Sequence, residues 1–97
     1  MNALRFIYDE KKDKINRQKH GISFSEAKTV FYDENARLIH DPGHSIDEER
    51  FIILGISNKF RLLLVVHCYR ENEDTIRIIS ARKASKNERK QYEEFLI

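Results

Sequence analysis

Arg61-Leu62-Leu63-Leu64-Val65-Val66-His67-Cys68-Tyr69-Arg70 is the stretch on which the fold turns. The apolar run from residue 62 to 66 has no polar break, the pattern of a strand covered on both faces. Such a strand needs a partner along each edge, and the sequence supplies both nearby. Glu49-Arg50-Phe51-Ile52-Ile53-Leu54-Gly55-Ile56 precedes it across Ser57-Asn58-Lys59-Phe60, a connection short enough to force a hairpin. Thr75-Ile76-Arg77-Ile78-Ile79-Ser80-Ala81-Arg82 follows it across a second turn, Glu71-Asn72-Glu73-Asp74. Ala36-Arg37-Leu38-Ile39, ahead of a polar loop through Asp41-Pro42-Gly43-His44-Ser45, adds a fourth short strand. The expectation is an antiparallel meander of about four strands.

Outward from this sheet the pattern becomes helical. Leu4-Arg5-Phe6-Ile7-Tyr8 reads as a short edge strand, after which Asp9 caps a helix over residues 10–20 that has little beyond Ile15 to bury and ends at Gly21. Ser23 and Glu26 have capping-box spacing, and Phe24, Ala27, Val30 and Phe31 follow at helical intervals, marking a second short helix with one apolar face. Ser85 and Glu88 repeat the box before a last helix striped by Tyr92, Phe95 and Leu96. The expected fold is α+β: an antiparallel sheet with two helices before it and one after it, in a single domain over residues 1–97.

Composition supports one core and one domain. Ninety-seven residues cannot divide their apolar side chains between two cores, and 40% hydrophobic content with one Pro and three Gly excludes disordered and fibrous classes. The single cysteine, Cys68, has no partner for an internal disulfide, so a reducing compartment and a buried, inert thiol are expected. No apolar run approaches the roughly 20 residues that span a bilayer, and the N-terminus lacks a secretory layout, so the chain reads as cytoplasmic with no membrane partner. Net charge is only +2, yet it is segregated: seven Lys/Arg against four Asp/Glu in residues 1–30, three against six in 31–60, eight against six in 61–97. Basic ends around an acidic middle permit a phosphate-binding surface despite the modest total.

Three separated segments carry a family resemblance. Lys19-His20-Gly21-Ile22-Ser23-Phe24, then His44-Ser45 with Glu48-Glu49-Arg50-Phe51, then Ile76-Arg77-Ile78-Ile79-Ser80-Ala81-Arg82-Lys83-Ala84 with Glu88-Arg89 and Tyr92, together resemble the BrnT toxins in order and spacing. The resemblance implies a compact relative of the RelE-type ribonuclease fold and an endoribonuclease of a type II toxin–antitoxin pair that inhibits translation. It also implies an RNA substrate, in some relatives ribosome-associated mRNA, and a BrnA-like antitoxin of ribbon-helix-helix type whose complex binds operator DNA.

Metal-free RNA cleavage needs a 2′-hydroxyl deprotonated, phosphorane charge stabilised and a 5′-oxygen protonated. With the resemblance in place, Arg82, Arg70 and His20 are the expected catalytic set. Arg82 leaves the last strand just before a Ser-capped helix whose N-terminus also attracts anions; the plainer alternative is a surface ion pair with Glu71 or Glu88. Arg70 and Arg82 lie on one side of the sheet or on two sides of a groove, depending on register. His20 has the side chain suited to proton transfer at neutral pH, or it simply bonds a free carbonyl at a helix C-terminus. Lys19, Arg61, Arg77, Ser80 and Lys83 are the expected RNA contacts, and each also fits an ordinary solvated face. Tyr69 and Tyr92 offer rings for stacking on bases, though Tyr92 equally fits packing of the last helix on the sheet. His67, within the central strand, reads as a core residue before a catalyst. His40, Asp41, His44, Asp47, Glu48 and Glu49 match no zinc or calcium spacing, so neither metal nor cofactor is expected. The competing function, motivated by the lack of an unambiguous acid–base pair, is a non-catalytic RNA-binding or antitoxin-docking module acting in transcriptional autoregulation.

Overall fold

The computed structural model describes residues 4–41, 49–70, 74–94 and 96. The polar loop after Asp41, most of the Glu71–Asp74 turn, and the grouping of His44, Asp47 and Glu48 with their neighbours therefore lie outside the described residues.

The apolar run forms β4 (Leu62–Arg70), the middle of a five-stranded sheet. β3 (Arg50–Ile56) and β5 (Thr75–Lys83) flank it antiparallel, and β2 (Arg37–Asp41) pairs antiparallel with β3. The sheet is mixed and not purely antiparallel, which corrects the four-strand expectation: β1 (Arg5–Ile7) joins the far edge parallel to β5, Arg5 against Thr75 and Ile7 against Arg77. No hairpin links these strands, so turn chemistry carried no trace of a pairing between chain segments this far apart. The helices between β1 and β2 carry the chain from one edge to the other.

Local signals set the helices. Asp9 accepts from the Lys11 and Lys12 amides at the start of α1 (Glu10–His20), and Gly21, with φ 71°, ends it by donating to the Arg17 carbonyl. Ser23 caps α2 (Phe24–Ala27), which tightens at once into a 3₁₀ turn over Lys28–Tyr32. α3 spans Lys86–Glu94. One stretch of sheet edge would otherwise stay unpaired, because β1 covers only residues 75–77 of β5. Asn16 of α1 fills it: its amide oxygen accepts from the Ala81 N–H at 3.1 Å, and its amide nitrogen donates to the Ala81 and Ile22 carbonyls, each at 2.8 Å.

β4 is covered on both faces, as its sequence requires. Leu63 and Val65, with Ile53, Ile78 and Ala81, pack under Ile22, Phe24, Ala27 and Val30 on the helix side. Leu62 and Leu64, with Leu54, pack under Tyr92 of α3 on the other. The close approach on the helix side explains Gly55, where a Cβ would stand 2.8 Å from Val30 Cγ1 and 3.0 Å from Ala36 Cβ.

A bulge in β5 decides which side chains share a face. Val66 pairs with Ser80 but His67 pairs with Ile78, so Ile79 is an extra residue. Ile78 and Ala81, an odd three positions apart, consequently both enter the helix-side core. By the same shift Arg77 and Arg82, five apart, fall together on the opposite face.

Candidate nucleic-acid interface

Register and alternation place every arginine of the strands on that opposite face. Arg82 pairs with Leu64, Arg77 with Cys68 and Arg37 with Leu54; Arg70 and Arg5 both pair with Thr75; Arg50 lies one position before Phe51, which faces His67 on the helix side. α3 covers only the Leu54, Leu62 and Leu64 end. Beyond it, Ile52, Val66 and Ser80 form a half-buried floor between Arg82 and Arg37 at one end and Arg50, Arg77, Arg70 and Arg5 at the other. Six guanidinium groups on one side of a sheet, with a weakly apolar floor between them, suit an extended polyanion with flat bases.

Of the residues singled out in the sequence, Arg70, Arg77, Ser80 and Arg82 share this face. They do not meet at a point. Arg70 lies six residues beyond Leu64 on β4, which puts it about 20 Å along the strand from Arg82. Lys19, His20, Arg61 and Lys83 are brought instead to the start of β4 on the side of the helices, where Arg61 Nη2 donates to the Gly21 carbonyl at 3.4 Å and Ala84 N–H bonds the Leu62 carbonyl. His20 is half-buried at the end of α1, and no hydrogen bond or ion pair among the described residues joins it to Arg70 or Arg82. The arrangement is thus a row of cations and not arginines gathered around an imidazole.

Arg61 is committed to the fold. Its guanidinium pairs with both carboxylate oxygens of buried Glu26, Nε reaching Oε2 at 2.9 Å, and Ser57 Oγ donates to the same Oε2 at 2.7 Å. Burial pushes the Glu26 carboxyl up, but the hydrogen bonds and charge of Arg61 and the bond from Ser57 outweigh it and hold the group below its ordinary value. Glu26 therefore does not close a box onto Ser23; it pins the β3–β4 hairpin to α2.

Arg82 faces Glu88 in a two-pronged ion pair, Nη1 to Oε1 and Nη2 to Oε2, each 2.9 Å. Hydrogen bonds from Arg82 hold Glu88 below the usual carboxylate range, and the same bonds raise Arg82 further. Two further candidates, Tyr92 and His67, are structural. Tyr92 is buried and donates to Asp33 Oδ2 at 2.6 Å; burial, together with that bond, pushes its hydroxyl up to about 12. His67 is fully buried among Phe31, Phe51 and Tyr69, and burial lowers it to about 4.

Sequence reasoning missed Arg5, Arg37 and Arg50. Each is an ordinary cation in a strand, and only cross-strand register shows them to share a face. Cys68 is buried and forms no disulfide. Among the described residues no group of three or more His, Cys, Asp or Glu side chains gathers as a metal site, and no helix is long and apolar enough to cross a membrane.

Comparison with known proteins gives a family match and structural matches. The family described as "Ribonuclease toxin, BrnT, of type II toxin-antitoxin system" matches residues 8–88, a span holding Glu88 and both groups of cations apart from Arg5. No curated protein matches by sequence. Among solved structures, the Brucella abortus ribonuclease toxin BrnT aligns with a TM-score of 0.65 at 23% identity, over 87% of this chain and 100% of that one. That likeness is one of fold.

Proposed function

The chain belongs to the family of BrnT ribonuclease toxins of type II toxin–antitoxin systems, and from that membership we propose that it cleaves RNA across the arginine face of its sheet without a metal ion. The observation that carries the assignment to this face is the register that collects Arg5, Arg37, Arg50, Arg70, Arg77 and Arg82 on one side. A single strand of RNA lies along β4 and β5, its phosphates on the arginines and its bases over Ile52 and Val66. Arg82 contacts the scissile phosphate. There the 2′-hydroxyl gives up its proton to solvent as its oxygen attacks phosphorus, the bond from phosphorus to the 5′-oxygen breaks with that oxygen taking a proton from solvent, and the guanidinium meets the negative charge that gathers on the non-bridging oxygens. Arg70 and Arg77 hold the strand on one side of that point, and Ser80 offers a hydroxyl between them.

The consequence in the cell is inhibition of translation, relieved by an antitoxin of ribbon-helix-helix type that covers the same face with acidic or apolar side chains and binds operator DNA in the complex. A complex whose toxin contacts all lie on α1 and α2 contradicts that docking.

The test is cleavage of RNA in EDTA by purified protein, first with free RNA and then with translating ribosomes, against an Arg82→Ala control. Cleavage by the parent and at least a hundredfold loss in the control are expected, about the effect of removing one preorganised charge-stabilising donor. Binding without cleavage in either setting refutes the enzymatic reading in favour of an RNA-binding or antitoxin-docking module.

A further inference from the structure

We infer that Glu88 is a positioning residue of this site: by clamping one edge of the Arg82 guanidinium it presents the other edge to the phosphodiester. The inference rests on the assignment of Arg82 above, and the geometry adds to it in three respects.

A guanidinium has five N–H donors arranged as two forks, one between the terminal nitrogens and one between Nε and Nη2. Glu88 occupies the terminal fork, and the remaining Nη1 hydrogen goes to the Lys83 carbonyl at 3.2 Å. The Nε–Nη2 fork has no partner among the described residues, and it is this fork that a pair of phosphate oxygens would take. Next, the carboxylate is itself fixed. Ser85 N–H donates to Glu88 Oε1 at 2.7 Å, and Glu88 N–H donates to Ser85 Oγ at 3.2 Å, so the capping box of α3 closes around the same side chain that holds Arg82. A flexible arginine is thereby tied to the first turn of a helix packed on the sheet. Finally, exposure runs the right way: the Arg82 side chain is 43% exposed and that of Glu88 only 22%. The open member of the pair is the cation.

The opposite role for Glu88 is a plug, a carboxylate that substrate must displace. The two roles differ in sign. A clamp makes loss of Glu88 slow the reaction; a plug makes it quicken RNA binding or cleavage.

The experiment measures kcat and KM for RNA cleavage by Glu88→Gln, Glu88→Ala, Arg82→Ala and the Arg82→Ala/Glu88→Ala double variant, with a melting curve for each. Glu88→Gln keeps the shape and an oxygen to accept from Ser85, so it retains the fold if the alanine variant does not. We expect Glu88→Gln to lower kcat about tenfold with KM changed less than about twofold, and the double variant to be no slower than Arg82→Ala, because a clamp has nothing to act on once Arg82 is gone. A purely structural role for Glu88 as helix cap predicts additive losses, and that result overturns the proposal. So does a Glu88→Gln variant as fast as the parent, or faster, while Arg82→Ala is inactive. Full activity in Arg82→Ala instead overturns the underlying assignment of Arg82.

Discussion

Replacing His67 by leucine should remove most of the acid sensitivity of the fold between neutral pH and about pH 5. His67 has no solvent exposure, its Nδ1 faces the Val65 carbonyl at 3.2 Å, and its Nε2 has no hydrogen-bond partner among the described residues. The neutral form carrying a proton on Nδ1 fits that site; the cation does not. Burial brings the folded imidazole down from 6.5 to about 4, with the Val65 bond opposing only in part. The sign follows from which state binds protons more readily. Below 6.5 the unfolded chain protonates this group while the folded chain keeps it neutral until about 4, so falling pH favours unfolding throughout that window, and the effect is absent above it. Near pH 5 the unfolded pKa has been passed by roughly one and a half units, which at about 1.4 kcal/mol per unit gives a loss of about 2 kcal/mol. Urea unfolding of the parent and of His67→Leu near pH 7 and near pH 5 measures the difference directly, and the intrinsic effect of leucine cancels between the two conditions. The parent should lose about 2 kcal/mol more than the variant. Equal losses would refute the reasoning, since they require an imidazole that reaches water or a proton acceptor in the native state. The same burial removes His67 from the chemistry, so the pH profile of RNA cleavage should be unchanged by the substitution.

Other expectations follow from the sheet. Arg77→Gln should flatten the salt dependence of single-stranded RNA binding, reducing the slope of log K against log salt by about 0.7, because one phosphate fewer is neutralised; an unchanged slope removes Arg77 from the interface. Asn16→Ala leaves the Ala81 N–H and the Ala81 and Ile22 carbonyls without their buried partner and should cost about 3 kcal/mol of stability, read by denaturant titration. A change under about 0.5 kcal/mol would mean that water or β1 can close that edge equally well.

The central hairpins were readable because their signals are local. The unbroken run at residues 62–66 identified the inner strand, and short connections gave its neighbours. Capping residues located the helices for the same reason: Asp9, Gly21, Ser23 and Ser85 act within a few positions of themselves. The pairing of β1 with β5 lay beyond this reach, since nothing between Ile7 and Thr75 encodes it. The candidate face was only partly legible, and the reason is the bulge at Ile79. Alternation alone sets Arg77 and Arg82 on opposite faces; one extra residue reunites them on the face that also carries arginines of the four other strands. His20 illustrates the limit from the other direction. Its suitability for proton transfer is a property of the side chain, whereas its position depends on how α1 lies beside the edge of β5.

Photo-crosslinking of RNA containing 4-thiouridine, with the attached residues mapped by mass spectrometry, asks most directly where the nucleic acid lies. Crosslinks on β3, β4 and β5 at the arginine face, around Ile52, Val66, Arg77 and Ser80, are the predicted result. Crosslinks confined to α1 and the turn around His20 and Arg61 would contradict the account.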